Sequence, residues 1–215
     1  MLKNFSRNRY LFIAYLLIFL GLAFFLYFFG KKETHLIFSS YHNGVADEIM
    51  KVFTFFGDGL FMVIVGVIML FNSYRKGFTI LSAFLISSLL VQVLKHYVFV
   101  GFKRPVAWFH EQGIELFRVS GIEYHSLYSF PSGHTTTAFA LFFLLAFFVK
   151  SNGLKFVFLA MAILTAYSRI YLSQHFLGDT LAGSVLGIGT AVLMEKLFEK
   201  KSDSWMDRGL VRWEV

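Results

Sequence analysis

The chain is 215 residues long, 57% hydrophobic and 20% aromatic, with 15% charged residues, a net charge of +7 and a mean hydropathy of +0.64. That balance excludes an ordinary soluble domain and indicates a multispanning membrane protein. Cysteine is absent, which excludes disulfide and thiolate chemistry, and the basic residues flank apolar runs without forming a stripe, which argues against a nucleic-acid partner.

Apolar runs near the ~20 residues that cross a bilayer occur six times: Leu11 to Phe29, Thr54 to Phe71, Phe78 to Val100, Ser132 to Val149, Leu154 to Leu172 and Thr180 to Phe198. The expected fold is therefore all-α, a six-helix transmembrane bundle. The first run follows basic residues and has no small-residue cleavage site, so it is expected to be a retained helix and not a removed signal peptide. Six spans leave both termini on one side. Lys3, Arg7, Arg9, Arg75, Lys76, Lys150, Lys155, Lys196, Lys200, Lys201, Arg208 and Arg212 fall on that side, with eight basic residues opposite. Because the acidic residues divide five and eight, the terminal face carries +7 and the other face 0. The positive-inside rule makes the terminal face cytoplasmic.

Two loops on the outer side repay reading. Gly30 to Phe53, with Lys31, Lys32, Asp47, Glu48 and Lys51, reads as an interfacial segment without chemistry, and Asp58, which opens the second span, either as the partner of a basic group on the outer face or, the reading preferred here, as a solvated residue. Gly101 to Pro131 ends on both sides near a proline, the only two in the chain: Pro105 in VGFKRP and Pro131 in PSGH. A residue without an amide proton suits the place where a helix starts or stops. If Pro131 occupies the first helical turn, the amides around Ser132, Gly133 and His134 point outward and form an anion site. Ser132 adds a hydroxyl and His134 a group that holds or donates a proton near neutral pH.

Helix parity brings Lys95, Arg104, Ser132, Gly133 and His134 to the membrane face that also receives the end of the fifth span. There the sequence reads SRIYLSQHFLGD, with Ser168, Arg169, His175 and Asp179 between two uncharged runs. Ionisable residues at the edge of a membrane-length apolar run are costly unless they have partners or work to do.

These three segments together resemble the signatures of the type 2 phosphatidic acid phosphatase family, which is related to the vanadium haloperoxidases. The second signature is Pro131-Ser132-Gly133-His134. The third is Ser168-Arg169 followed by His175 and Asp179, and both agree in spacing. The first departs: the family places a Lys seven positions before the Arg, whereas Lys95 precedes Arg104 by nine. At about 100° per residue that separates the two by half a turn of a straight helix. Either the helix breaks near Gly101 and Lys95 folds in, the reading preferred here, or Lys103 does its work.

The resemblance, which extends to six spans placed as in the family's membrane-bound bacterial members, implies a single integral membrane phosphatase domain, 1–215, in a bacterial inner membrane, with core motifs at 95–179 and an active site at the outer membrane–water interface. It implies His175 as the nucleophile that carries a phosphohistidine, Asp179 as the residue that orients it, and His134 as the acid for the leaving oxygen. Lys95, Arg104, Ser132, Gly133 and Arg169 would bind the phosphate oxygens. No metal or other cofactor is required. The substrate would be a phosphomonoester or diphosphate on a lipid, such as phosphatidic acid, phosphatidylglycerol phosphate, undecaprenyl diphosphate or a lipid A phosphate. Phe102, Trp108, Phe109, Phe117, Tyr124, Tyr128 and Phe130 in the covering loop suit a lipid surface. Two rivals come from other classes. A transporter should place its charges mid-span or in interrupted helices with internal repeats, which are not visible here. A non-catalytic phospholipid-binding protein would have no use for both His134 and His175.

Overall fold

In the computed structural model, residues 7–199 and 204–210 are described. Four members of the basic set, Lys3, Lys200, Lys201 and Arg212, lie outside them. Eight α-helices make up the described fold: α1 Arg9–Phe38, α2 Gly44–Phe55, α3 Gly59–Asn72, α4 Tyr74–Val93, α5 Pro105–His110, α6 Gly133–Phe148, α7 Asn152–Tyr171 and α8 Leu177–Glu199. A π-helical turn, Leu94–Val98, continues α4, and a 3₁₀ turn, Ser204–Asp207, follows α8.

Small polar side chains start most of these helices. Asn43 accepts from the Ala46 amide, Asp58 from Leu60, Ser132 from Thr135 and Ser151 from Leu154, each satisfying a donor that the first turn leaves free. Asp58 is thus the cap of α3, a role that the reading of it as a solvated residue did not supply. The expected loop from Gly30 to Phe53 is largely helical. α1 breaks at Gly30, whose φ of 73° suits a residue without Cβ, and then resumes to Phe38, while α2 occupies Gly44–Phe55. Thr54 and Phe55, expected in the second span, belong to α2, which meets α3 at a 55° bend.

Among the described residues, four helices are long and apolar enough to cross a membrane: α1, α4 with its π turn, α7 and α8. They become five if the bent α2–α3 pair counts as one span. α6 has 16 residues and is the shorter apolar helix at the centre of the bundle. It packs on α8, α7 and α4, while α1 lies outside against α7 and α8. An evenly apolar helix has no solvated face, and α6 is accordingly buried from Thr135 to Leu144 and again at Ala146 and Phe147.

Basic side chains fasten each end of the described chain to the bundle. Arg7 donates to the Phe147 carbonyl at 2.6 Å, and Lys155 donates to the Arg7 carbonyl at 2.9 Å. Arg75 bonds the Phe198 carbonyl and pairs with Asp207 at 2.6 Å, and Lys76 lies over the Phe148 ring. The ends of α4 and α7 and the starts of α6 and α8 converge at the end of the bundle opposite these contacts.

Candidate active site

Those helix ends surround a cavity of about 400 Å³ lined by Lys95, Arg104, Gly133, His134, Arg169, Gln174 and His175, with Gln92, Val91, Gly121, Ile122, Glu123 and His125 around them. Lys95 and Arg104 enter it together because the helix does not stay straight between them. Lys95 lies in the π turn, and the chain then reverses through Gly101 at φ 84°, a left-handed geometry that favours glycine. Lys103 does not line this cavity. Its ammonium pairs with Glu111 at 2.5 Å on the outside of α5.

Arg104 caps α5 with Pro105 at the first helical position, as the proline suggested. Its amide donates to Ser126, its Nε to the Leu127 carbonyl at 3.1 Å and its Nη1 to Gln174 Oε1 at 3.0 Å. Burial pulls the guanidinium below its ordinary value, and Asp179 opposes that pull. Arg169, at the end of α7, donates to Thr54 Oγ1 at 2.5 Å and to Gln174 Oε1 at 3.5 Å. Its Nε is buried with no partner among the described residues.

The α6 start differs from expectation in one respect. Pro131 precedes the cap and is not in the first helical turn, because Ser132 is the cap and Gly133 the first helical residue. Ser132 is fully buried and does not line the cavity. Its amide donates to the Asp179 carbonyl at 3.0 Å and its Oγ accepts from the Thr135 hydroxyl at 2.9 Å, so this residue ties α6 to α8. The amides of Gly133 and His134, at the open N-terminus, have no helical acceptor and remain for a ligand.

His175 lies in the short turn between α7 and α8. Its Nδ1 is 3.4 Å from Asp179 Oδ2, a close contact without hydrogen-bond geometry, and that nitrogen has no hydrogen-bond partner among the described residues. Asp179 Oδ2 instead accepts from Ser129 Oγ at 2.5 Å and from the Phe176 amide at 2.9 Å. Asp179 stands in the first turn of α8, a favourable place for a carboxylate. Burial pushes the His175 imidazole well below its ordinary value, and the cations Arg104, Arg169 and Lys95 push in the same direction. A neutral ring whose lone pair is left unprotonated, beside the cations Arg104, Arg169 and Lys95, is suited to attack an anionic centre that those cations hold.

Sequence reading did not single out Ser129, Gln174 or Thr54. Gln174 sits inside the third motif, directly before His175, and was legible as a polar residue in a costly place. Ser129 and Thr54 had no signal, because their partners Asp179 and Arg169 are 50 and 115 residues away. Among the covering-loop aromatics, Phe109 is fully buried and packs on His35 and Phe176, with Trp108 edge-on to Phe176. These two rings anchor the loop, whereas Phe102, Phe117 and Tyr128 are exposed. No group of three or more His, Asp or Glu among the described residues converges as a metal-binding set.

Apolar helices of membrane length gathered around a buried, cation-lined pocket with two histidines define an integral membrane protein built to handle an anionic group. Residues 76–203 match the PAP2 superfamily, and the chain belongs to it. It is 31% identical over 170 residues to phosphatidylglycerophosphatase B of Bacillus subtilis, covering 72% of this chain and 76% of that one. It is 26% identical over 186 residues to a lipid A 1-phosphatase of Rhizobium etli, covering 74% and 77%. The crystal structure of a transmembrane PAP2-type phosphatidylglycerolphosphate phosphatase from B. subtilis superposes with a TM-score of 0.65 at 27% identity, covering 89% of this chain and 98% of that one.

Proposed function

We propose that this protein is a membrane lipid phosphate phosphatase that works through a phosphohistidine intermediate without a metal. The observation that carries the reading is the cavity itself: His134 and His175 share it with Lys95, Arg104 and Arg169 at the tip of an apolar helix bundle. His175 attacks phosphorus through the nitrogen turned away from Asp179, and the carboxylate stabilises the charge that develops on the ring. His134 protonates the departing oxygen of the lipid. Lys95, Arg104, Arg169 and the Gly133 amide neutralise the remaining oxygens, where most phosphoryl-transfer catalysis arises. Ser132 supports this site as the cap of α6.

The whole chain, 1–215, forms one catalytic membrane domain with its core at 95–179. Six crossings follow if α2–α3 is a broken span and α6 a short one, which is consistent with the shared location of the basic end contacts. With both termini cytoplasmic, the cavity faces the outer leaflet, and a probe at Gln112 is expected to be accessible from outside. Protection of that probe would reverse the orientation and the lipid pool.

The names of the relatives support a phosphorylated membrane lipid as substrate. The test is release of inorganic phosphate by purified protein from a panel holding phosphatidic acid, phosphatidylglycerol phosphate, a polyprenyl diphosphate and a lipid A phosphate. Turnover of at least one, lost in His175→Ala and retained in EDTA, is the expected result. No turnover of any, or activity that requires Mg²⁺, refutes the reading.

A further inference from the structure

The two arginines of the first and third motifs end on one neutral atom. Gln174 Oε1 accepts from Arg104 Nη1 at 3.0 Å and from Arg169 Nη2 at 3.5 Å, while Gln174 Nε2 donates to the Glu123 carbonyl at 3.0 Å. The side chain is buried, yet it lines the cavity. The Glu123 carbonyl accepts only, so it draws the NH₂ group and turns the oxygen toward the guanidiniums. The backbone agrees with the side chain, since the Gln174 and His175 amides both donate to the Arg169 carbonyl, at 2.9 and 3.1 Å. The preceding residue, Ser173, holds the left-handed conformation that starts this turn, at φ 49°. Its hydroxyl lies 3.2 Å from Nε2 of the buried His35.

Two guanidiniums brought to one point repel each other. A carboxylate between them would hold them firmly but would also cancel a positive charge and compete with an anion. A carboxamide oxygen gives each arginine an acceptor and adds no net charge.

Building on the phosphatase reading, we infer that Gln174 is the positioning residue of the phosphate site, setting Arg104 and Arg169 at a spacing from which both grip one phosphate. It acts through the arginines and performs no chemical step. Its link to Glu123 also fastens the covering loop beside the arginine from α5.

The experiment compares wild type with Gln174→Met, which keeps the length and removes the acceptor, and with Gln174→Asn, which keeps the amide but withdraws it by one carbon. Steady-state hydrolysis of the best lipid phosphate is measured with and without inorganic phosphate as competitor, and binding of inorganic phosphate is measured directly by calorimetry. The expected result is that KM, the inhibition constant of phosphate and its dissociation constant rise together by ~10- to 100-fold, the range for a lost charge-assisted hydrogen bond. Both variants should move in the same direction, and kcat should fall less.

A role confined to folding would lower kcat through a smaller active fraction and leave all three constants at wild-type values. That result overturns the inference, and Gln174→Asn decides it if Gln174→Met does not fold. Wild-type protein that binds phosphate but hydrolyses no lipid phosphate refutes the phosphatase reading, while the calorimetric comparison still judges Gln174.

Discussion

Replacing Gly183 by Ala should harm both stability and catalysis, because α8 passes the start of α6 with no room for a methyl group. A Cβ at Gly183 would stand 2.7 Å from the Ser132 carbonyl oxygen, 3.1 Å from Thr135 Cβ and 3.2 Å from Thr136 Oγ1. The carbonyl cannot swing aside, since it accepts from both the amide and the hydroxyl of Thr136, at 3.0 and 2.9 Å. The helices must therefore part by several tenths of an ångström. Overpacking of this kind costs ~1–3 kcal/mol, or ~2–4 °C of melting temperature per kcal/mol for a chain of this size. The seam that opens also carries the bond from the Ser132 amide to the Asp179 carbonyl, so His134 moves relative to His175. With a 1 Å displacement costing ~100-fold in rate, a loss of roughly tenfold in kcat is expected. Gly189, on the same helix with nothing within 4 Å of its Cβ position, is the control, and Gly189→Ala should leave both quantities near wild type. Thermal unfolding in detergent and phosphate release are the assays. Wild-type melting and turnover in Gly183→Ala, or equal damage in Gly189→Ala, would refute the argument.

Asp179→Asn should lower kcat by ~100-fold or more through loss of charge beside His175. Ser129→Ala removes only one of the two donors to Asp179 and should cost about tenfold or less; a larger loss for Ser129→Ala in matched assays would contradict this ranking. The pH dependence follows from the depressed His175 imidazole. The unfolded state takes up this proton first as pH falls, so the residue's contribution to stability is intact above the ordinary histidine value near ~6.5 and declines below it. Activity should likewise persist below that value, and an acid limb that tracks an ordinary histidine in wild type would oppose the assignment. His134→Ala should slow phosphoenzyme formation far more for a lipid monophosphate than for a diphosphate with the same tail. The former expels an alkoxide, whereas the latter expels a phosphate with a second pKa of about 6. Equal losses in single-turnover measurements would remove His134 from the role of acid.

Much of the site was legible because membrane-embedded charge is rare. In a chain with long uncharged runs, Arg169, His175 and Asp179 stand out, and parity alone brings Arg104 and His134 to the same end. The nine-residue spacing of Lys95 and Arg104 also pointed to a broken helix near Gly101. Local backbone choices were less legible. Pro131 was compatible both with a first-turn position and with the position before a cap, and only the Ser132 hydroxyl decides between them. The 30–53 segment read as a loop because its charges interrupt the apolar pattern, yet an Asn43 cap and an amphipathic face are enough to make α2 helical. Gln174 carried only the signal of its place in the third motif, and Ser129 and Thr54 are ordinary polar residues whose importance lies in partners that only the folded chain supplies.

The shortness of α6 has a consequence for depth. Sixteen residues extend ~24 Å, against a hydrocarbon core of ~30 Å. Val149, in extended backbone, and Lys150 continue the chain beyond the helix by ~3.3 Å per residue, so the stretch from Gly133 to Lys150 just matches that core. In the proposed orientation, with Lys150 at the cytoplasmic surface, the Gly133 end lies at the outer boundary with no length to spare. In a thicker bilayer a lipid must lower its phosphate below the plane of its neighbours' headgroups to meet Lys95, Arg104 and Arg169, so membrane thickness becomes one of the variables that set how readily the phosphate reaches His175.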